Sequence, residues 1–409
     1  MFAVATFALP VSPANAAVLN QAALFNPTIV NTIELNVPDA SYTALSNPTT
    51  AKQYTAASFT FRSGSQSIGP IQTGIRLKGS TSLEMIDAHP SFKISFNWKL
   101  LKGNRFLGLK NLTLNAMTQD GSKLHEFGAY KLFTLMGVPA SRTGWAELKI
   151  NGVSKGLYIS IESVDDIFLA ARYRDITQHL YEGIALNDLK PGNNDGTELT
   201  GHYLTKEGWK ATSNKNDLGK LITAANYSSG AKWWAKLGTV TDRNELLGMF
   251  AVENFLGHWD GYSGPLQNNH FLRSNQQNKF TMIPWGTDQT FGENRQTRAL
   301  LDDYFMPLDK PTAGFPWVQQ AFHKDAMPRG LLFTRCLAYL VCKTAYLLKL
   351  KAVSAKVTSS KFVTSLKSAS TVIASYSPQD VKDEQARVQQ WVGKQQARVT
   401  AVLKANKIR

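Results

Sequence analysis

A chain of 409 residues with 43% hydrophobic and 11% aromatic content can bury a large core, which excludes a disordered protein and allows one to three domains. No run reaches the roughly 18 uninterrupted apolar residues of a membrane-crossing helix. The net charge of +15 is gathered at one end, where Lys324 to Arg409 carries 16 Lys and Arg against 4 Asp and Glu; such a region attracts polyanions, with specific nucleic-acid binding the weakest option because no recognised motif accompanies the charge.

The first sixteen residues are apolar and end in Ala14-Asn15-Ala16, a small-residue cleavage pattern, so residues 1–16 are expected to be a secretory signal peptide although a basic start is missing. Thr32 to Val37 and Ser58 to Arg62 alternate as strands, with a short helix and loop between Asp39 and Tyr54. Gly74 to Ser82 reads as a strand running into a Gly/Ser turn, and Phe92–Phe96 and Leu112–Asn115 as further strands. His125 to Met136 has helical spacing and stops at Gly137. Trp145–Ile150 and Gly156–Ile161 flank Asn151-Gly152, the mark of a hairpin. Residues 185–232 are rich in Asn, Asp, Gly, Ser and Lys and read as an irregular insertion with a helix near Leu218 to Ala225. From Trp317 the pattern is helical to the end, giving a basic helical region over 317–409 behind a core over 17–316. A β-rich first half followed by an α-helical second half makes the fold class α+β. Cys336 and Cys342 fall in one helical pattern, which would set their Cα atoms about 9 Å apart, too far for a disulfide unless the helix breaks between them.

The chemistry is concentrated between residues 258 and 292. Asp260 stands in a Gly-bearing loop, Asn268 and Asn269 follow, and Asp288 comes at the mouth of the apolar run Phe280-Thr-Met-Ile-Pro-Trp285. Phosphoryl transfer asks for this order: one carboxylate toward the attacking hydroxyl, then an amide and a second acid to hold a magnesium ion. Taken alone, a loop Asp is more often a cap or turn residue. The Gly74–Ser82 segment supplies backbone N–H groups and the cations Arg76 and Lys78 for phosphates, although the Walker spacing is absent. No metalloprotease spacing of histidines and no G-x-S-x-G elbow occurs.

Several blocks together resemble the CotH kinase family, secreted atypical kinases related to spore-coat protein H. They are Thr32-Ile-Glu-Leu, Arg76-Leu-Lys-Gly-Ser-Thr-Ser82, Ser91-Phe-Lys-Ile-Ser-Phe96, Asn151-Gly through Gly156 to Leu169, Leu180-Tyr-Glu-Gly, and the 258–292 segment. The resemblance implies a divergent protein-kinase-like fold that uses ATP and Mg2+ or Mn2+ to phosphorylate Ser/Thr of secreted or cell-surface proteins, and the basic tail points to an acidic acceptor. It implies Asp260 as the catalytic Asp that orients the acceptor hydroxyl, Asn269 and Asp288 as metal ligands, and Arg76, Lys78, Lys93 and Glu162 on the nucleotide side, with Glu162 paired to a phosphate-contacting lysine. The sequence departs from the family at Gly286, where the Pro-Trp-Asp-x-Asp pattern has its first acid, at His89-Pro90, and at Glu182, which stands where a Lys is common. These departures leave a second reading open, a catalytically degenerate surface or assembly protein that binds acidic partners through its basic helices.

Overall fold

Alternation of apolar and polar residues builds the first half. In β1 (Val30–Asn36) Ile33 and Leu35 are fully buried while their neighbours are partly exposed. With β2 (Thr55–Ser63), β3 (Gln66–Lys78), β4 (Ser91–Ser95), β5 (Asn111–Asn115), β6 (Thr143–Ile150) and β7 (Val153–Glu162) it forms a closed barrel in the order β1-β2-β3-β4-β5-β7-β6. The β1–β6 seam is parallel and the other pairs are antiparallel. Its interior is filled by rings and aliphatics, with Phe59 edge-on to Phe96 at 5.1 Å and to Phe106 at 4.9 Å. The Asn-Gly hairpin is present: Asn151 and Gly152 sit at φ +49° and +82°, the left-handed pair that a two-residue turn of this kind requires.

The computed structural model describes residues 19–80, 82–186, 188–189, 204–207, 215–292, 306–313 and 327–408. The expected signal peptide therefore lies outside the described residues, as do residues 317–326 and much of the 185–232 insertion. Short helices α1 (Gln21–Leu24), α2 (Asp39–Ser46) and α4 (Asp166–Ala170) decorate the barrel, and α3 (His125–Leu135) packs between it and the second half.

That second half joins a sheet to a helical layer. Strands β8 (Leu180–Glu182), β9 (Leu204–Glu207), β10 (His270–Ser274) and β11 (Phe280–Pro284) pair antiparallel in the order β11-β10-β8-β9. Helices α5 (Asn216–Asn226), α6 (Gly230–Val240) and α7 (Arg243–Leu256) precede β10, and α8 (Leu331–Ala338), α9 (Leu340–Ser359), α10 (Phe362–Val372) and α11 (Gln379–Ala405) close the chain. A minor ribbon pairs β12 (Thr312–Ala313) with β13 (Met327–Pro328). The central helix is α7, buried at every residue from Leu246 to Leu256. It starts on the Asp242 cap, whose carboxylate accepts the Asn244 and Glu245 N–H groups at 2.8 and 3.1 Å.

Within the expected insertion, the described residues Leu204–Glu207 form β9 of the sheet and Asn216–Asn226 form the expected helix, α5. One sequence expectation is corrected here. Cys336 and Cys342 form a disulfide with Cα atoms 5.0 Å apart. The helix does break between them: Tyr339 is extended at φ −112°, ψ 113° and α8 and α9 meet at 107°, so the six intervening steps turn a corner instead of rising along one axis.

Asp217, at the start of α5, locks that helix to the sheet. Its carboxylate accepts from Tyr181 Oη at 2.6 Å, from Ser274 Oγ, and lies 3.1 Å from His179 Nδ1. Burial alone would raise its pKa, but these partners depress it to about 2. The native state thus binds fewer protons than the unfolded chain between about pH 4 and 2. The resulting stability is present above pH 4 and lost as pH falls through 2. Replacing Asp217 with Asn is expected to cost about 1 to 2 kcal/mol at pH 7, after allowance for partial solvent screening, and much less at pH 2. Urea unfolding at the two pH values checks this, and a cost equal at both would refute it.

Candidate active site

Barrel and sheet face each other across a cleft of about 680 Å³. In β3 the inward-facing Ile75 and Leu77 leave Arg76 and Lys78 pointing out, and in β4 the buried Phe92 and Ile94 do the same for Lys93. Register places Lys93 directly opposite Arg76, so three cations share one outer face of the barrel and line the cleft. The Arg76 guanidinium lies 5.3 Å from the centre of the Tyr54 ring, and the Lys93 ammonium 4.5 Å from that of Trp285. Gly79, Ser80 and Ser82 form its rim.

The opposite wall is made by the loop after α7 and the loop after β11. The chain leaves α7 through Gly257 at φ +68°, with the His258 N–H bonded to the Glu253 carbonyl at 2.9 Å. The buried Glu253 carboxylate then accepts the Tyr262 and Ser263 N–H groups at 2.9 and 2.8 Å, so Glu253 holds the loop after Asp260 through its carboxylate and before it through its carbonyl. The Asp260 carbonyl accepts the N–H groups of Asn268 and Asn269 at 3.1 and 2.8 Å, so the loop folds back on itself. Asn269 Nδ2 donates to Asp260 Oδ2 at 2.6 Å and to the Gly286 carbonyl at 3.0 Å. The other oxygen, Asp260 Oδ1, is buried and has no hydrogen-bond partner among the described residues. The Asp288 carbonyl bonds His125 Nδ1, at the start of α3, at 2.7 Å, which ties the second acid to the helix packed against the barrel.

Charges of like sign crowd this wall. Burial, then the neighbouring Asp288, push Asp260 up to about 8. Burial raises Asp288 as well, opposed by the charge of Lys78. Glu126 in the first turn of α3 is raised by burial and by Asp288, against the pull of Lys78 and a 2.6 Å hydrogen bond from Asn115 Nδ2.

Of the residues expected from sequence, Arg76, Lys78, Lys93, Asp260, Asn269 and Asp288 all line the one cleft. Glu162 does not, and its expected lysine partner is corrected. At the end of β7 its carboxylate lies 2.7 Å from Arg142 Nη2 and 2.6 Å from Arg172 Nη2. Burial would raise its pKa, but hydrogen bonds and charge from the two arginines carry it below the usual range. Besides Asp288, the acid that feels Lys78 is Glu126, which sequence reasoning passed over. A Glu in the first turn of a helix is an ordinary partner for the helix dipole, and its burial at 2% exposure is a product of the tertiary fold.

Among the described residues no group of three or more His, Cys, Asp or Glu side chains is arranged for a metal. The cleft does offer hard oxygens, from Asp288, Asn269 and the unpartnered Asp260 Oδ1. They fit a magnesium-type ion that takes one or two protein oxygens and completes its shell with water and phosphate.

The CotH kinase protein family matches residues 75–402. Inner spore coat protein H of Bacillus subtilis (strain 168) is 25% identical over 220 residues, which cover 52% of this chain and 58% of that protein, so the match spans less than two thirds of the relative. Among solved structures, the Helicobacter pylori proinflammatory kinase CtkA aligns over 75% of this chain and 95% of its own, at 12% identity and a TM-score of 0.32. Because the family match runs from the cationic strand β3 through the Asp260 and Asp288 loops and into α11, this chain belongs to the CotH kinase protein family.

Proposed function

We propose that the protein is an exported kinase of a divergent protein-kinase-like fold. It would transfer the γ-phosphoryl group of ATP, with Mg2+ or Mn2+, to Ser or Thr hydroxyls of secreted or cell-surface proteins. The observation that carries the reading is the opposition, across one cleft, of Arg76, Lys78 and Lys93 to Asp260, Asn269 and Asp288. Three cations on a rigid barrel face suit the phosphates, and transfer needs placement and charge more than covalent help. Asp288 and the Asn269 amide oxygen would hold the metal, which supplies charge neutralisation at the phosphates. Asp260 Oδ1 would accept the bond from the attacking hydroxyl and take its proton as the new P–O bond forms and the bond to ADP breaks.

Export is supported by the Cys336–Cys342 disulfide, since such bonds persist in oxidising compartments, and by likeness to a spore-coat protein. An acidic acceptor is supported by the helical region: residues 327–379 contain eight Lys and Arg and no Asp or Glu. A surface or assembly protein without transfer activity is the second reading. Glu182 favours it, since it lines the same cleft and its charge opposes phosphate.

The test is labelled ATP with and without Mg2+ or Mn2+, offered an acidic protein at low and physiological salt, beside Asp288→Ala. Metal-dependent label that falls as salt rises, and is lost in the variant, is expected. Label equal in both proteins would refute the site. No label, with no nucleotide-induced rise in Tm, would move the protein to the second reading.

A further inference from the structure

Gly286 sits where any side chain would collide with the Asp260 loop. Its φ is +51°, and a β-carbon added there would lie 2.6 Å from Cγ, 2.7 Å from Oδ1 and 2.8 Å from Nδ2 of Asn269. A flexible side-chain tip would swing away from such a contact. The Asn269 amide is instead pinned, because Nδ2 has two protons and both are committed, one to Asp260 Oδ2 at 2.6 Å and one to the Gly286 carbonyl at 3.0 Å. The backbone is pinned as well: the Asn269 N–H bonds the Asp260 carbonyl at 2.8 Å, and its carbonyl accepts the Trp285 N–H at 3.3 Å. A side chain at 286 must therefore take the Asn269 amide off Asp260.

We infer, resting on the kinase reading above, that Gly286 and Asn269 are a matched pair: the glycine makes the room, and the amide that fills it fixes the rotamer of Asp260. Asn269 then positions Asp260 for transfer through Nδ2, beside the metal-holding role proposed for its amide oxygen and for Asp288. A carboxylate placed at 286, two residues before Asp288, does not add a ligand to an otherwise unchanged site. It removes the group that orients the catalytic acid.

A double-mutant cycle on the full chain tests this, using Gly286→Ala, Asn269→Ala and the double variant, with Gly286→Asp beside them. Without nucleotide, Gly286→Ala is expected to lower Tm by about 2 °C or more. In the Asn269→Ala background the same change should lower it by less than half as much, because the methyl then has space and only the backbone cost remains. In transfer assays Gly286→Ala is expected to lose about tenfold or more in kcat with KM for ATP within about threefold, and Asn269→Ala, which also removes the amide oxygen proposed to hold the metal, at least as much in kcat with KM raised. The double variant should be no worse than the poorer single, as for residues acting as a unit. Gly286→Asp should slow transfer.

Additive Tm costs, or a Gly286→Asp protein as fast as wild type, would overturn the pairing. If Gly286→Ala alone does not fold, recovery in the double variant is expected, and continued failure overturns the pairing too. A wild-type protein that transfers no phosphate would remove the kinase reading, and the Tm cycle would still decide whether the two residues are matched.

Discussion

Replacing Asp260 with Asn is expected to abolish phosphate transfer and, at the same time, to stabilise the unliganded protein at alkaline pH. The carboxyl is 6% exposed, has one oxygen without a hydrogen-bond partner among the described residues, and is raised to about 8 by burial and then by Asp288. In the unfolded chain it titrates near 3.9. Between about pH 4 and 8 the native state therefore binds more protons than the unfolded state, so stability falls as pH rises through that window and levels off above it. Asparagine has nearly the same shape and no charge to desolvate. The gain should be on the order of a few kcal/mol at pH 8 and close to zero at pH 4, each pKa unit being worth about 1.4 kcal/mol. The cost in rate is on the order of 10²- to 10⁴-fold, the usual worth of a positioned acid or base. Thermal unfolding of both proteins at pH 5 and 8 decides the matter. Glu245 and Glu253, both raised to about 7 by burial, give the variant a residual slope of the same sign. An Asp260→Asn protein less stable than wild type at pH 8 would refute the account. The expected pattern is a site held in an unfavourable state until its ligands arrive.

The second large effect is expected at Arg329, which bonds the loop that carries Asp260. It is 1% exposed, its guanidinium lies 4.5 Å from the centre of the Phe333 ring, and it donates to the Ser263 carbonyl at 2.6 Å, the Pro307 carbonyl at 2.6 Å and Asn254 Oδ1. Truncation to Ala leaves these acceptors buried without donors and removes the cation that eases the ionised form of Glu253. The expected loss is about 3 to 5 kcal/mol, with transfer reduced in parallel because Ser263 and Glu253 hold the Asp260 loop. Arg329→Lys should recover little, since one ammonium cannot span acceptors reached by a planar fork. Urea midpoints for the three proteins measure this, and an alanine variant within about 0.5 kcal/mol of wild type would exclude the role.

Much of the first half was legible because its strands alternate and because Asn151-Gly152 permits few conformations other than a tight turn. The order Asp260, Asn269, Asp288 was legible because an Asp in a Gly-bearing polar loop, two Asn after it and an Asp at the mouth of the apolar run Phe280–Trp285 follow one another in the order phosphoryl transfer asks for. Three features were not. Glu162 lies at a strand end where either face is open to it, and its face is decided by Arg142 and Arg172, distant in sequence and near in space. Glu126 needed the fold to bury it. The disulfide needed a helix break at Tyr339, a residue with no helix-stopping chemistry of its own. Local pattern reports periodicity well, and it does not report which side chains meet across a cleft or where an unmarked helix turns.

The barrel seam has a consequence for how much of the chain makes an independent unit. The family match begins at residue 75, inside β3, whereas closure depends on β1 and β2, which bridge β3 to β6. A chain trimmed to the matched residues would lose that bridge and carry two bare strand edges, on the stub of β3 and on β6, each a template for pairing with another copy. The minimal unit that keeps these barrel edges paired therefore starts before β1, some forty-five residues ahead of the first residue the family model matches.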